Sequence, residues 1–157
     1  GVIEFFEKIS KKIKSRFKLI GEGPELDLSK QLVKDKNIEN VEFLGNTQEV
    51  EKELCHSDLF ILPSKTESFG LAALEAMASK NVVISSDSGG LPEVNIQNET
   101  GFLTKYNDIN KMVDYAENVL KDEDKLNQMK ENAFRRAQKF DINKIITSYE
   151  DIYNSLV

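Results

Sequence analysis

Apolar residues recur at helical spacing from the start of the chain. Val2, Phe6, Ile9, Ile13 and Phe17 stand four, three, four and four positions apart, which places one apolar stripe along an amphipathic helix over residues 2 to 17. The period then shortens. Phe17-Lys18-Leu19-Ile20 is a β-prone run, followed by Gly21-Glu22-Gly23-Pro24, where Pro24 can open a second helix reaching about Val33. Val41-Glu42-Phe43-Leu44, closed by Gly45, reads as a strand; a short helix covers about Gln48 to Cys55; and Asp58-Leu59-Phe60-Ile61-Leu62-Pro63 supplies another strand. A helix from about Phe69 to Ser79, a strand at Val82-Val83-Ile84-Ser85 and a turn-rich stretch from Ser88 to Glu93 come next. Beyond Gly101-Phe102-Leu103, three helical segments are expected at about Ile109 to Leu120, Glu123 to Phe140 and Asp141 to Val157.

Short, mostly apolar strands of this kind are buried on both faces. Alternating with helices, they predict βαβ units and a parallel sheet covered on both sides: an α/β, doubly wound, Rossmann-like fold in a single domain over residues 1–157. In such a fold the first strand is central. This chain instead enters on a helix, so the expectation is that Gly1 begins a piece of a longer protein whose first strand is missing.

Composition narrows the classes. With 39% apolar and 31% charged residues the chain has a globular balance. Its net charge of −6 argues against a nucleic-acid surface, and the short basic run Lys11, Lys12, Lys14 and Arg16 reads as the solvated face of a helix. No apolar stretch approaches the roughly 20 residues of a membrane span, and no signal peptide opens the chain, so a cytoplasmic location is expected. Cys55 is the single cysteine and His56 the single histidine; two such ligands fall short of the four of a structural zinc site, and no metal is expected. Gly21-Glu22-Gly23 is not a dinucleotide fingerprint, because Leu26 stands where a third glycine would be needed.

Candidate chemistry concentrates in the loops at the carboxyl ends of the strands, where open α/β sheets bind ligands. Ser68 is a candidate N-cap that would leave the amides of Phe69, Gly70 and Leu71 pointing out of a helix start, a natural anion site. Gly70 would allow a ligand close to the backbone. Glu67 precedes that cap. Glu75 lies four residues after Leu71 on or beside the apolar stripe, where a carboxylate needs donors. Gly89-Gly90 reads as a turn.

These residues resemble a family. Glu67-Ser-Phe-Gly-Leu-Ala-Ala-Leu-Glu75 matches the E-x7-E motif of the retaining GT-B glycosyltransferases of family 4, with Asp58-Leu59-Phe60-Ile61-Leu62-Pro63-Ser64 upstream and Gly89-Gly90-Leu91-Pro92-Glu93 and Gly101-Phe102 downstream. Within it, ESFGLAALEAM, GGLPEVN and Gln138-Lys139-Phe140-Asp141 look most like the N-acetylglucosaminyl malate synthases of bacillithiol biosynthesis.

The resemblance implies the C-terminal, donor-binding half of a two-domain enzyme, whose acceptor site lies mainly in a missing N-terminal domain. The donor would be a UDP-sugar, UDP-N-acetylglucosamine, transferred to L-malate with retention and without a cofactor. Glu75 would bond the ribose hydroxyls and Glu67 would approach the donor sugar. Ser68, Phe69, Gly70 and Leu71 would meet sugar and diphosphate through backbone groups, and Gly21, Gly23 and Gly45 would line the nucleotide cleft. Two departures stand out. The family's Arg and Lys loop would lie just upstream of Gly1, and Lys80 and Val82 replace the Gly and Pro that usually follow the motif helix, which would then end without its αL glycine.

Rival readings are another family 4 transfer in polysaccharide, capsule or lipid-glycan assembly, and a nucleotide-binding module without activity of its own. A receiver-like domain would need an acidic cluster, and Asp58 and Asp87 do not form one. The expected partners are the nucleotide-sugar and the N-terminal domain, with a homo-oligomer possible and neither nucleic acid nor membrane.

Overall fold

The computed structural model describes residues 1–141 and 146. Its elements follow the expected alternation: α1 (Val2–Ser10), β1 (Phe17–Ile20), α2 (Leu26–Asp35), β2 (Val41–Gly45), α3 (Val50–Cys55), β3 (Leu59–Leu62), α4 (Leu71–Ala78), β4 (Val82–Ser86), α5 (Leu91–Val94), β5 (Gly101–Thr104), α6 (Ile109–Leu120), α7 (Glu123–Ala137) and a 3₁₀ turn (Gln138–Phe140). Of the expected last helix, only Asp141 and Ile146 fall among the described residues.

The first helix is shorter than its periodicity predicts. α1 stops at Ser10, yet Ile13 and Phe17 still pack against the same core, one from the connection and one from β1, where Phe17 stacks on Phe6 with ring centroids 5.0 Å apart. The stripe reports burial correctly; the chain achieves it with two kinds of backbone.

All strand pairings are parallel, with helices on both faces, as a Rossmann-like fold requires. Neighbouring residues of β4 show the layering. Val82 and Ile84 join Phe5, Phe6, Ile9 and Met112 on the α1/α6 face. Val83 points the other way, into Ala73, Met77, Leu91 and Ala133 on the α4/α7 face. Every residue of β4 is buried, which explains its continuous apolar run. The hydrogen-bonded ladder is nevertheless divided, with β1-β2 in one sheet and β3-β4-β5 in the other.

Inside the β3-β4-β5 half, Asn95 substitutes for backbone pairing. Its buried amide donates to the Val83 carbonyl, the Ser85 hydroxyl and the Phe102 carbonyl, and its oxygen accepts from Thr100. One buried side chain thereby ties β4, β5 and the turn between them, and satisfies groups that would be costly to leave unpaired.

The end of α4 lacks the glycine, as expected, yet keeps the left-handed turn. Lys80 occupies the left-handed position itself, at φ +59°. The Asn81 amide reaches the Ala76 carbonyl (2.9 Å) and the Lys80 amide the Met77 carbonyl (3.0 Å), which together make a Schellman ending. The conformation survives without the glycine, with Lys80 anchored to Glu131 and lying over the Phe134 ring.

Candidate functional site

Because β3 and β4 run parallel, their carboxyl ends open on the same edge of the sheet. The loops leaving them are fastened together. The hydroxyls of Ser86 and Ser88 both donate to the Ser64 carbonyl, at 2.6 and 3.0 Å. Gly89, at φ +54°, lies against Glu67 so closely that a Cβ there would sit 1.5 Å from the Glu67 carbonyl oxygen. At Gly90 a Cβ would fall 2.8 Å from the Ser68 carbonyl oxygen. The pair read as a turn is therefore also the seat of the Glu67–Phe69 backbone. A double glycine is compatible with either role, and nothing else in the sequence separates them.

Gly70 is the N-cap of α4, at φ +93°. The expected Ser68 cap is displaced: the Ser68 amide instead donates to Glu67 Oε1 at 3.1 Å, and the left-handed Gly70 turns the chain into the helix two residues later. The first helical bond runs from the Leu74 amide to the Gly70 carbonyl at 3.1 Å. The amides of Gly70, Leu71, Ala72 and Ala73 are thus the ones without an intrahelical acceptor. They carry the helix's partial positive charge.

Glu75 does not lie on the packed stripe. Ala73, Leu74, Ala76 and Met77 are buried, whereas Leu71, Ala72, Glu75 and Ala78 are exposed on the opposite side. The carboxylate is solvated, so the burial cost anticipated from the sequence does not arise. Leu71 is 66% exposed and Phe69 39%, with Phe69 resting edge-on against Phe140 at 5.9 Å between centroids. Phe140 in turn lies under Arg136, whose guanidinium also donates to the carbonyls of Glu93 and Val94. The end of α7 is therefore a buttress for this loop, a role invisible in its helical periodicity.

Gly21, Gly23 and Gly45 belong to a second cluster, at the ends of β1 and β2. The Gly21 amide donates to the Gly45 carbonyl at 2.8 Å, and Asn46 to Glu22 at 3.1 Å. Gly21 (φ +110°) and Gly45 (φ +62°) both need left-handed backbone; around Gly21 and Gly23 there is open space. A shallow hollow of about 410 Å³ lies here, lined by Gly21, Gly23, Pro24 and Ser29 among others.

Cys55 is exposed, and His56 Nδ1 is bonded to the Lys52 carbonyl at 2.7 Å. Among the described residues, no three His, Cys, Asp or Glu side chains gather as a metal site, and no helix is long and apolar enough to cross a membrane.

Comparison with known proteins identifies the family. Residues 1–136 match the family model for glycosyl transferases group 1. Over 154 residues the chain is 40% identical to an N-acetyl-alpha-D-glucosaminyl L-malate synthase of Bacillus anthracis, covering 97% of this chain and 40% of that protein. A D-inositol 3-phosphate glycosyltransferase of Corynebacterium aurimucosum is 36% identical over 97 residues, or 62% of this chain and 23% of that one.

Among solved structures, a S. aureus TarM variant in complex with Fondaparinux, alpha-GlcNAc-glycerol and UDP superposes with a TM-score of 0.88 at 28% identity, over 98% of this chain and 32% of that one. The C-terminal domain of a group 1 glycosyl transferase, LpcC from Francisella tularensis, superposes at 0.80 with 28% identity, over 88% of this chain and 76% of that domain. The chain thus spans about 40% of the length of the first curated relatives it matches. By the span of that family match and by its fold, this chain belongs to the group 1 glycosyl transferases.

Proposed function

We propose that the chain is the donor-binding domain of a retaining glycosyltransferase that transfers N-acetylglucosamine from UDP-N-acetylglucosamine to L-malate. The observation that carries the reading is the start of α4: four amides without an intrahelical acceptor at a helix N-terminus, entered from a Glu67–Phe69 backbone that Gly89 and Gly90 seat. The 40% identity to the malate synthase supports the particular donor and acceptor.

In this reading the diphosphate meets the Gly70–Ala72 amides, whose fixed dipoles stabilise charge as it builds on the leaving group. Glu67, with one carboxylate oxygen bonded back to the Ser68 amide, presents the other toward the donor sugar. Glu75 accepts from the ribose hydroxyls. Its exposure suits that task, since a solvated carboxylate needs no structural partner and binding can recruit it. Gly21 and Gly45 allow the nucleotide close to the backbone, the acceptor comes from an N-terminal domain, and the scheme calls for no cofactor.

Calorimetric titration with UDP and UDP-N-acetylglucosamine tests the donor role. Glu75→Ala should weaken both at least tenfold while leaving the unfolding free energy from urea titration within about 0.5 kcal/mol of the parent, as befits an exposed position. Equal affinity in the variant would remove Glu75 from the site. With the natural full-length protein, release of UDP dependent on L-malate tests the acceptor; turnover with other acceptors only would move it to a different transfer within the family.

A further inference from the structure

Two side chains at the end of α7 reach both loops of the candidate site. Arg136 and Phe140 stand four residues apart, and the guanidinium lies 5.1 Å from the Phe140 ring centroid. Phe140 holds the first loop: it meets Phe69 edge-on, with ring centroids 5.9 Å apart and planes 74° apart. Arg136 holds the second, donating to the carbonyls of Glu93 and Val94 at the end of α5. α5 closes the circuit. Gly90, its N-cap, lies against Ser68 and Phe69, and its Leu91 side chain is packed so near Gly70 that a Cβ there would fall 2.9 Å from it.

We propose that Arg136 and Phe140 are positioning residues for the donor site, which set the direction in which the chain enters α4 without touching the donor. This role rests on the donor-binding reading above. The entry needs an outside guide, because Gly70, at φ +93° and without a side chain, does little to stiffen the backbone it turns. Phe69, the residue just before it, is 39% exposed and has its ring against Phe140. Edge-to-face aromatic pairs and cation–π contacts are directional as well as attractive. The Phe140 ring therefore fixes the orientation of Phe69, and with it the peptide that leads into the Gly70–Ala72 amides. Arg136, its planar guanidinium shared between that ring and two carbonyls, keeps α5 and Phe140 in one register.

Variants of the natural full-length protein test this by UDP titration, urea unfolding and hydrogen exchange. Phe140→Leu keeps an apolar side chain and removes the ring; UDP affinity should fall about fivefold, the scale of coupling through residues that do not touch a ligand. Phe140→Tyr keeps the ring and should stay within about twofold of the parent. Met129→Ala is the control, since it lies on the same helix but is buried in the α1/α6 core: it should lower stability more than Phe140→Leu and leave UDP affinity unchanged. Affinity that merely tracks stability across these variants would make Phe140 an ordinary packing residue and overturn the inference, as would parental affinity in Phe140→Leu. In a Phe69→Leu background, Phe140→Leu should have no further effect; additive losses would show that it does not act through Phe69. Hydrogen exchange needs no ligand. Phe140→Leu and Arg136→Met should lower protection, relative to β4, at the amides of Leu74 and Glu93, which bond to the Gly70 and Gly90 carbonyls. Unchanged protection at both would deny the coupling. A full-length parent that does not bind UDP would retire the donor reading, while loosened Leu74 and Glu93 would still uphold the coupling of α7 to the two loops.

Discussion

The two halves of the molecule hold their glycines in different ways. At the ends of β3 and β4, Gly89 and Gly90 touch the backbone of Glu67–Phe69, and buried Asn95 ties the strands below them. At the ends of β1 and β2, Gly21 and Gly23 have open space around them, and β1 alternates between partly buried and exposed residues. Part of the thin half is held by exposed ion pairs: Lys36 of the α2 C-cap to Glu7, and Lys18 of β1 to Glu53. One half is preorganised by packing; the other relies on contacts that water and salt weaken.

Gly89→Ala against Gly21→Ala is the sharpest way to break this comparison. Alanine at 89 combines a left-handed backbone with a backbone clash, and should cost about 3–4 kcal/mol in urea unfolding. At 21 only the conformational penalty applies, about 1–2 kcal/mol. Equal losses would mean that the contact at Gly89 is not what holds the loop. Asn95→Ala comes next: it leaves two strand carbonyls and Thr100 short of a partner in a buried place, so a loss of about 2–3 kcal/mol is expected, read from the thermal midpoint.

Acid removes carboxylate–lysine pairs from both halves, since bonding to Lys12 lowers Glu117 and bonding to Lys80 lowers Glu131 as well, but β1 and α2 have less packing than β4 to fall back on. Bonding to Lys18 lowers the Glu53 carboxyl below its ordinary 4.5, and bonding to Lys36 and Lys11 does the same for Glu7. A depressed folded value means that the stabilisation is complete above pH 4.5 and is lost as pH falls through the lowered value. Protection against hydrogen exchange, taken relative to the intrinsic rate at each pH, should therefore fall in β1 and α2 below about pH 4.5 before it does in β4. Uniform loosening of both halves would contradict the division. The Lys12–Glu117 pair runs oppositely at alkaline pH: bonding to Glu117 raises Lys12 above 10.5, and that share is lost only as pH rises past the raised value.

The smallest effect sits at the end of α4. Lys80→Gly relieves the left-handed strain and gives up the contacts to Glu131 and Phe134, so its stability should stay within about 0.5 kcal/mol of the parent. Ala78→Gly, two residues earlier inside the helix, should lose about 1 kcal/mol. Similar losses at both positions would deny Lys80 its αL role.

Element order was legible because period and turn chemistry are local: the apolar runs at Leu59–Leu62 and Val82–Ser85 and the glycines after β1 and β2 mark themselves. The E-S-F-G-L string likewise located the loop into α4. Helix ends were less legible. Ser68 has the chemistry of an N-cap, but the left-handed turn at Gly70 moved the start, and a stripe shared by α1 and β1 disguised the end of the first helix.

From the sequence alone came the α/β alternation, the family and the stretch holding the candidate site, because each depends on residue types at short range. Tertiary structure alone decided that Glu75 faces water, since its side of α4 depends on which stripe meets α7 and β4. It alone made Gly89 and Gly90 the seat of another loop, because a close approach between backbones 22 residues apart leaves no period.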